Sequence, residues 1–96
     1  MVNDDGTVYT VHFDERIGGP GRNGAQHYTG HAITGRLLAR LTRHRNGTSQ
    51  VPIMDYLHRH GIGWTVVDLQ PGTYADEIRL KNHGAAYRCF LCKEAT

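Results

Sequence analysis

Cysteine is almost missing from this chain: 96 residues hold two, Cys89 and Cys92, close together near the end. So few thiols at that spacing cannot staple a secreted scaffold, which excludes a disulfide framework. Long apolar runs are missing too. Nothing approaches the roughly 20 consecutive apolar residues that span a bilayer, so no membrane partner is expected. The opening "MVNDDGTVYT" carries acids where a signal peptide carries basic residues, and no apolar segment follows. The expected location is therefore the cytoplasm. Acid is absent from the middle of the chain: residues 16 to 54 contain no Asp or Glu but hold Arg16, Arg22, Arg36, Arg40, Arg43 and Arg45. The net charge of +2 conceals this block, because residues 1 to 15 carry acids and no Lys or Arg. A basic segment of this kind suits an anionic partner such as nucleic acid, or a solvated basic face.

What is present fits one small domain spanning residues 1–96, with a short tail from about 84 that carries the Cys-x-x-Cys pair. "TVYTVHF", 7 to 13, is rich in β-branched and aromatic residues and predicts a strand, with Tyr9, Val11 and Phe13 on one face. "DERIGGPGRNG", 14 to 24, predicts a loop, and "AQHYTG", 25 to 30, a second strand that closes an antiparallel hairpin. A first helix is expected from about Gly35 to Arg45, with Thr34 as N-cap, "NG" at 46–47 as its stop, and Leu37, Leu38 and Leu41 as its apolar stripe. A second helix is expected from Ser49 or Gln50, with Pro52 in its first turn, Val51, Met54 and Leu57 inward, and Gly61 at its end. "GWTVVDL", 63 to 69, predicts a third strand and "PG", 71–72, a turn. Thr73 with Asp76 makes a capping-box start for a helix reaching about His83 and closed by Gly84. The tail "AAYRCFLCKEAT" shows no clear period. The order β-β-α-α-β-α predicts an α+β domain: a three-stranded antiparallel sheet flanked by about three helices.

"VY" in the first strand, "HYTG" in the second, "ARLTRHRNG" on the helix and "EIRLK" near the end resemble the GIY-YIG nuclease superfamily, and in particular its short stand-alone bacterial endonuclease-like members. The likeness covers residues 7 to 83, and rests on the order and spacing of the motifs together. It implies a metal-dependent endonuclease that hydrolyses DNA phosphodiester bonds with structure-directed or low sequence specificity, on branched or nicked DNA for instance. It matches Tyr9 to the tyrosine of the first motif, although "GIY" stands here as "TVY". Tyr28 matches the first tyrosine of the second motif. Arg40, four residues before His44, matches the helix arginine. Arg36 is its rival, because the tyrosine-to-arginine interval is two residues longer than usual. Glu77 matches the metal-binding glutamate, for a single Mg2+ or Mn2+. Asn82 comes too early to match the late asparagine of many members.

The chemistry is coherent on its own terms. Phosphodiester hydrolysis needs an activated water and neutralised charge at phosphorus. One carboxylate can hold one hard divalent ion whose other positions are filled by water. Arg40 offers a planar fork to a phosphate oxygen. His44 is the less demanding base by its ordinary pKa of about 6.5, whereas Tyr9 is the base the resemblance favours. Arg36, Arg43, Arg45 and Lys81 are the expected phosphate contacts. Each residue also has a plainer reading: Tyr9 and Tyr28 as core aromatics, Arg40 and His44 as a solvated helix face, Glu77 as the i+4 partner of Lys81. Two other functions compete with the nuclease. One is a catalytically inactive nucleic-acid-binding module on the same fold. The other is a small zinc or redox protein using Cys89 and Cys92, in which His83 and His60 would complete the ligand set.

Overall fold

A computed structural model of the chain describes residues 6–17, 25–33, 35–82 and 89–94. β1 (Gly6–Ile17) is the centre of a three-stranded antiparallel sheet, with β2 (Ala25–Ile33) on one side and β3 (Trp64–Gly72) on the other. The helices are α1 (Leu37–Asn46), α2 (Pro52–Arg59), α3 (Tyr74–Asn82) and a short α4 (Phe90–Glu94). The α+β class, the sheet and the element order are those expected, with α4 added in the tail, where the sequence showed no period.

Alternation on β1 sorts the molecule. Tyr9, Val11 and Phe13 point to one side, where they pack with Ala32, Met54, Leu57 and Trp64 into the main core. Val8, Thr10 and His12 point to the other side; Val8 and Thr10 are fully covered there. Register across the hairpin sets Tyr9 opposite Gly30, Val11 opposite Tyr28 and His12 opposite His27. α3 lies against all three strands. Thr73 and Asp76 form the expected reciprocal cap: the Thr73 amide donates to Asp76 Oδ2 at 2.8 Å, and the Asp76 amide to Thr73 Oγ1 at 3.3 Å. The Thr73 amide also holds the Asp76 carboxyl below its usual pKa.

Several boundaries moved, each for a local reason. β1 runs on through Asp14–Ile17, so the predicted loop is shorter at its start; residues 18–24 lie outside the described residues. β2 continues to Ile33 and meets Gly6. α1 starts at Leu37 instead of Gly35, because Gly35 takes a left-handed φ of 83° and the Arg36 amide closes a turn onto the Ile33 carbonyl at 2.9 Å. Thr34, the expected N-cap, lies outside the described residues. Gly47 ends α1 as expected, left-handed at φ 74°, with the Thr48 amide donating to the Arg43 carbonyl. α2 begins at Pro52, and Met54 and Leu57 are fully buried. "PG" at 71–72 makes no turn. Pro71 and Gly72 extend β3 opposite Thr7 and Gly6, and an edge strand tolerates a residue with no N–H to donate. His83 and Gly84, the expected end of α3, lie outside the described residues.

The α1 stripe is the most instructive correction. Leu38 is 78% exposed, while Leu37 and Leu41 pack on the core and His44 is fully buried. The inward stripe is therefore 37, 41, 44, at i, i+4, i+7, and a histidine takes the place expected for a leucine. The site depends equally on Gly30. A Cβ there would lie 2.5 Å from Tyr9 Oη and 2.8 Å from Tyr28 Cε2. Gly30→Ala is expected to cost about 1–3 kcal/mol by overpacking, seen as a Tm fall of roughly 5–20 °C. A thermal melt unchanged from wild type would mean that Tyr9 can swing aside freely.

Candidate functional site

Tyr9 stands fully buried on the central strand, and α1, packed against β2, brings two side chains to its hydroxyl. Residues 40 and 44 are one helical turn apart, so both reach the same point. His44 Nε2 lies 2.7 Å from the Tyr9 hydroxyl, and Arg40 Nε donates to that oxygen at 3.3 Å. Tyr28 completes the cluster, its ring 6.1 Å from Tyr9 and 5.7 Å from His44. On the far side of His44, Trp64 meets its ring edge-on at 6.3 Å. The predicted residues Tyr9, Tyr28, Arg40 and His44 are thus in mutual contact.

Protons in this cluster have few options. Arg40 can only donate to the Tyr9 oxygen; when Nε2 of His44 accepts the Tyr9 proton, the neutral ring carries its own proton on Nδ1. Nδ1 is buried with no partner among the described residues, the kind of unmet group that functional sites retain. Burial, followed by the neighbouring Arg40 charge, pushes the His44 pKa down to about 4. Burial first, and then Tyr28, raises the Tyr9 phenol above its usual range, against the pull of Arg40.

These shifts predict a pH dependence. The unfolded chain takes up a proton on His44 near its ordinary pKa of about 6.5, while the folded chain resists it until about 4. Between those values the unfolded state binds more protons, so stability falls as pH drops through that window. The full loss across that window is about 3 kcal/mol in order of magnitude. His44→Gln should lack that part of the slope in denaturant titrations at a series of pH values. Equal slopes in the two proteins would show that His44 titrates normally.

Beside this cluster lies a basic cavity of about 270 Å³, lined by His31, Ala32, Ile33, Arg36, Ala39, Arg40 and Arg43. Arg36, Arg40 and Arg43 follow i, i+4, i+7, a basic stripe alongside the apolar one. Arg45 stands apart: its guanidinium lies 3.9 Å over the Trp64 ring. Glu77 is 6% exposed on α3, with Lys81 Nζ 3.6 Å from its carboxylate. Lys81 in turn lies 5.5 Å over the Tyr28 ring. A second cavity, lined by Gln26, His27, Tyr28, Thr29 and Lys81, follows the free edge of β2. Glu77 is therefore linked to Tyr28 through Lys81. Glu77 is the carboxylate expected to hold the divalent ion, and its described partner is the Lys81 ammonium.

The sequence missed a different group. His12, His27, Cys89 and Cys92 bring one ligand atom each to within 4.8 Å of one another, and together they could hold a metal ion. Thiolate and imidazole donors favour a soft ion such as zinc over Mg2+ or Mn2+. The expectation that His60 partners the cysteines is thereby corrected. His60 caps α2 and stacks on Tyr56 at 4.0 Å, and His83 lies outside the described residues. The overlooked signal was a pair of histidines at matching positions on the two strands of one predicted hairpin. No family model, curated protein or solved structure matches this chain. Among the described residues, no helix is long and apolar enough to cross a membrane.

Proposed function

We propose that the chain is a metal-dependent DNA endonuclease of the GIY-YIG type. The observation that carries this reading is the Tyr9 hydroxyl held between His44 Nε2 and Arg40 Nε, at the side of an arginine-lined cavity. Arg40 belongs to both the hydroxyl network and the cavity wall, so one guanidinium links the phosphate-binding surface to the proton-handling pair. Arg36 and Arg43 hold flanking phosphates. Such contacts position DNA without reading its sequence, so substrate choice follows DNA shape.

Tyr9 is fully covered at rest. Arg40 uncovers its hydroxyl by turning its fork onto a phosphate oxygen. That movement also offsets the Arg40 charge, the second cause of the low His44 pKa. His44 becomes a better base when DNA is engaged. A water then gives a proton to the Tyr9 oxygen as Tyr9 passes its own proton to His44 Nε2, and the resulting hydroxide attacks phosphorus. Glu77 would hold the Mg2+ or Mn2+, whose charge stabilises the phosphorane-like transition state and the leaving oxygen.

The test is incubation with labelled plasmid, linear, nicked and branched DNAs, with Mg2+ or Mn2+ and with chelator. Cleavage that needs the metal supports the proposal; binding without cleavage on every substrate supports a second reading, a DNA-binding module. That reading is favoured by the burial of Tyr9 and the Glu77–Lys81 pairing. Both readings predict salt-sensitive binding, with a log–log slope of about −0.9 per phosphate contact. Arg36→Ala and Arg43→Ala should each lower that slope by about one contact, and Arg45→Ala should leave it unchanged because Arg45 is occupied by Trp64. Fluorescence anisotropy at a series of salt concentrations checks this.

A further inference from the structure

We propose that His12 Nδ1, His27 Nε2, Cys89 Sγ and Cys92 Sγ form a structural zinc site that clasps the C-terminal segment onto the β1–β2 hairpin. The argument is geometric. A tetrahedral zinc with Zn–S and Zn–N bonds of usual length sets its ligand atoms about 3.3 Å apart for N–N, about 3.6 Å for N–S and about 3.8 Å for S–S. Here His12 Nδ1 and His27 Nε2 are 3.2 Å apart, and Cys89 Sγ to His12 Nδ1 is 3.4 Å. Cys92 Sγ lies 3.7 Å from His12 Nδ1 and 3.4 Å from His27 Nε2. Four of the six edges therefore match the tetrahedron within a few tenths of an ångström, and the other two are shorter than 4.8 Å.

Local structure agrees with this assignment. His12 and His27 are direct partners in the hairpin register, so they share a face of the sheet. Neither cysteine is in a disulfide, and the Cys92 amide donates to Cys89 Sγ at 3.4 Å, a bond that favours the thiolate a metal needs. His12 turns its other nitrogen to the Gln26 side-chain amide at 3.4 Å. With metal on Nδ1 that nitrogen carries the proton, so the amide, which turns its Nε2 there while its Oε1 accepts from Arg16 Nη2 at 3.2 Å, has to flip to accept it. Four protein ligands fill the coordination sphere and leave no position for water, which makes the site structural and not hydrolytic. Its effect is to join residues far apart in sequence, Cys89 to His12 and Cys92 to His27. It also fixes His27 in the wall of the β2-edge cavity next to Tyr28. The site stands whether or not the chain cleaves DNA.

The test uses the full chain produced in zinc-supplemented medium. Elemental analysis should find one zinc per chain. Replacement by Co2+ should give the intense visible bands of tetrahedral cobalt with a near-ultraviolet thiolate charge-transfer band. Cys92→Ala changes a partly exposed residue and spares the core; it should weaken zinc binding at least about 100-fold in competition with a chromophoric chelator. Glu77→Gln should keep its zinc. Chelation should lower the wild-type Tm on the order of 10 °C or more, restored by Zn2+ and not by Mg2+. Wild type without zinc, cobalt protein without the thiolate band, or a Cys92→Ala chain that binds zinc as wild type does would each overturn the proposal. So would zinc lost on Glu77→Gln.

Discussion

Glu77→Gln is expected to reduce Mg2+- or Mn2+-dependent cleavage on the order of a thousandfold, with DNA binding kept or tightened. The substitution preserves shape and removes charge. Glu77 is 6% exposed and, among the described residues, its ion pair is with Lys81 at 3.6 Å. A metal at a phosphoryl centre is worth several kcal/mol, and about 1.4 kcal/mol is tenfold in rate. Losing the ion's anchor therefore removes most of the rate. Removing a carboxylate also removes a repulsion toward phosphate and releases Lys81, so affinity should not fall. If Glu77 only steadies α3 through Lys81, the change costs a few tenths of a kcal/mol and cleavage continues. Single-turnover cleavage and anisotropy on the same preparations separate the two cases. Zinc content, measured alongside, shows that the fold survives.

The parts of this molecule that could be read from its sequence are those set by neighbours. The Thr73–Asp76 cap, the Gly47 stop and the four-residue step from Arg40 to His44 depend on spacing along one element, and each is present as expected. The meeting of Arg40 and His44 with Tyr9 needed one long-range inference, supplied by the motif order. What could not be read this way depended on distant partners. Leu38 looked apolar enough for the core, but the helix turns His44 inward because the Tyr9 hydroxyl gives a buried imidazole something to bond. Hydropathy ranks leucine first for such a place and cannot see that partner. Pro71 read as a turn because nothing local says that β3 is an edge strand. The Cys–His cluster joins residues separated by up to 80 positions, beyond the reach of spacing rules. Only the hairpin register, which pairs His12 with His27, could have suggested it.

Arg40→Lys should be nearly as damaging as Glu77→Gln, whereas Arg36→Lys should change cleavage by no more than about threefold. The two arginines line the same cavity, but only Arg40 is tied by its Nε to the Tyr9 hydroxyl. That bond orients the fork before DNA arrives, and an ammonium has neither the plane nor the second donor to reproduce it. Arg36 is exposed and contributes charge, which lysine keeps. Tyr9→Phe separates the remaining roles. It removes one hydroxyl from a well-packed ring, so the stability change should stay near 1 kcal/mol. Its effect on cleavage should be far larger, about 10²- to 10⁴-fold, because Arg40 loses its guide and His44 loses its proton donor together. In wild type, engagement of Arg40 by DNA should raise the His44 pKa from about 4 toward its ordinary value, followed by NMR of the ring across a pH series. In Arg40→Ala the ring should start higher and respond little to DNA. A His44 that ignores DNA in wild type would separate phosphate binding from proton transfer and remove the relay. Loss of cleavage on Arg36→Lys with normal cleavage by Arg40→Lys would move the phosphate clamp one turn back along α1.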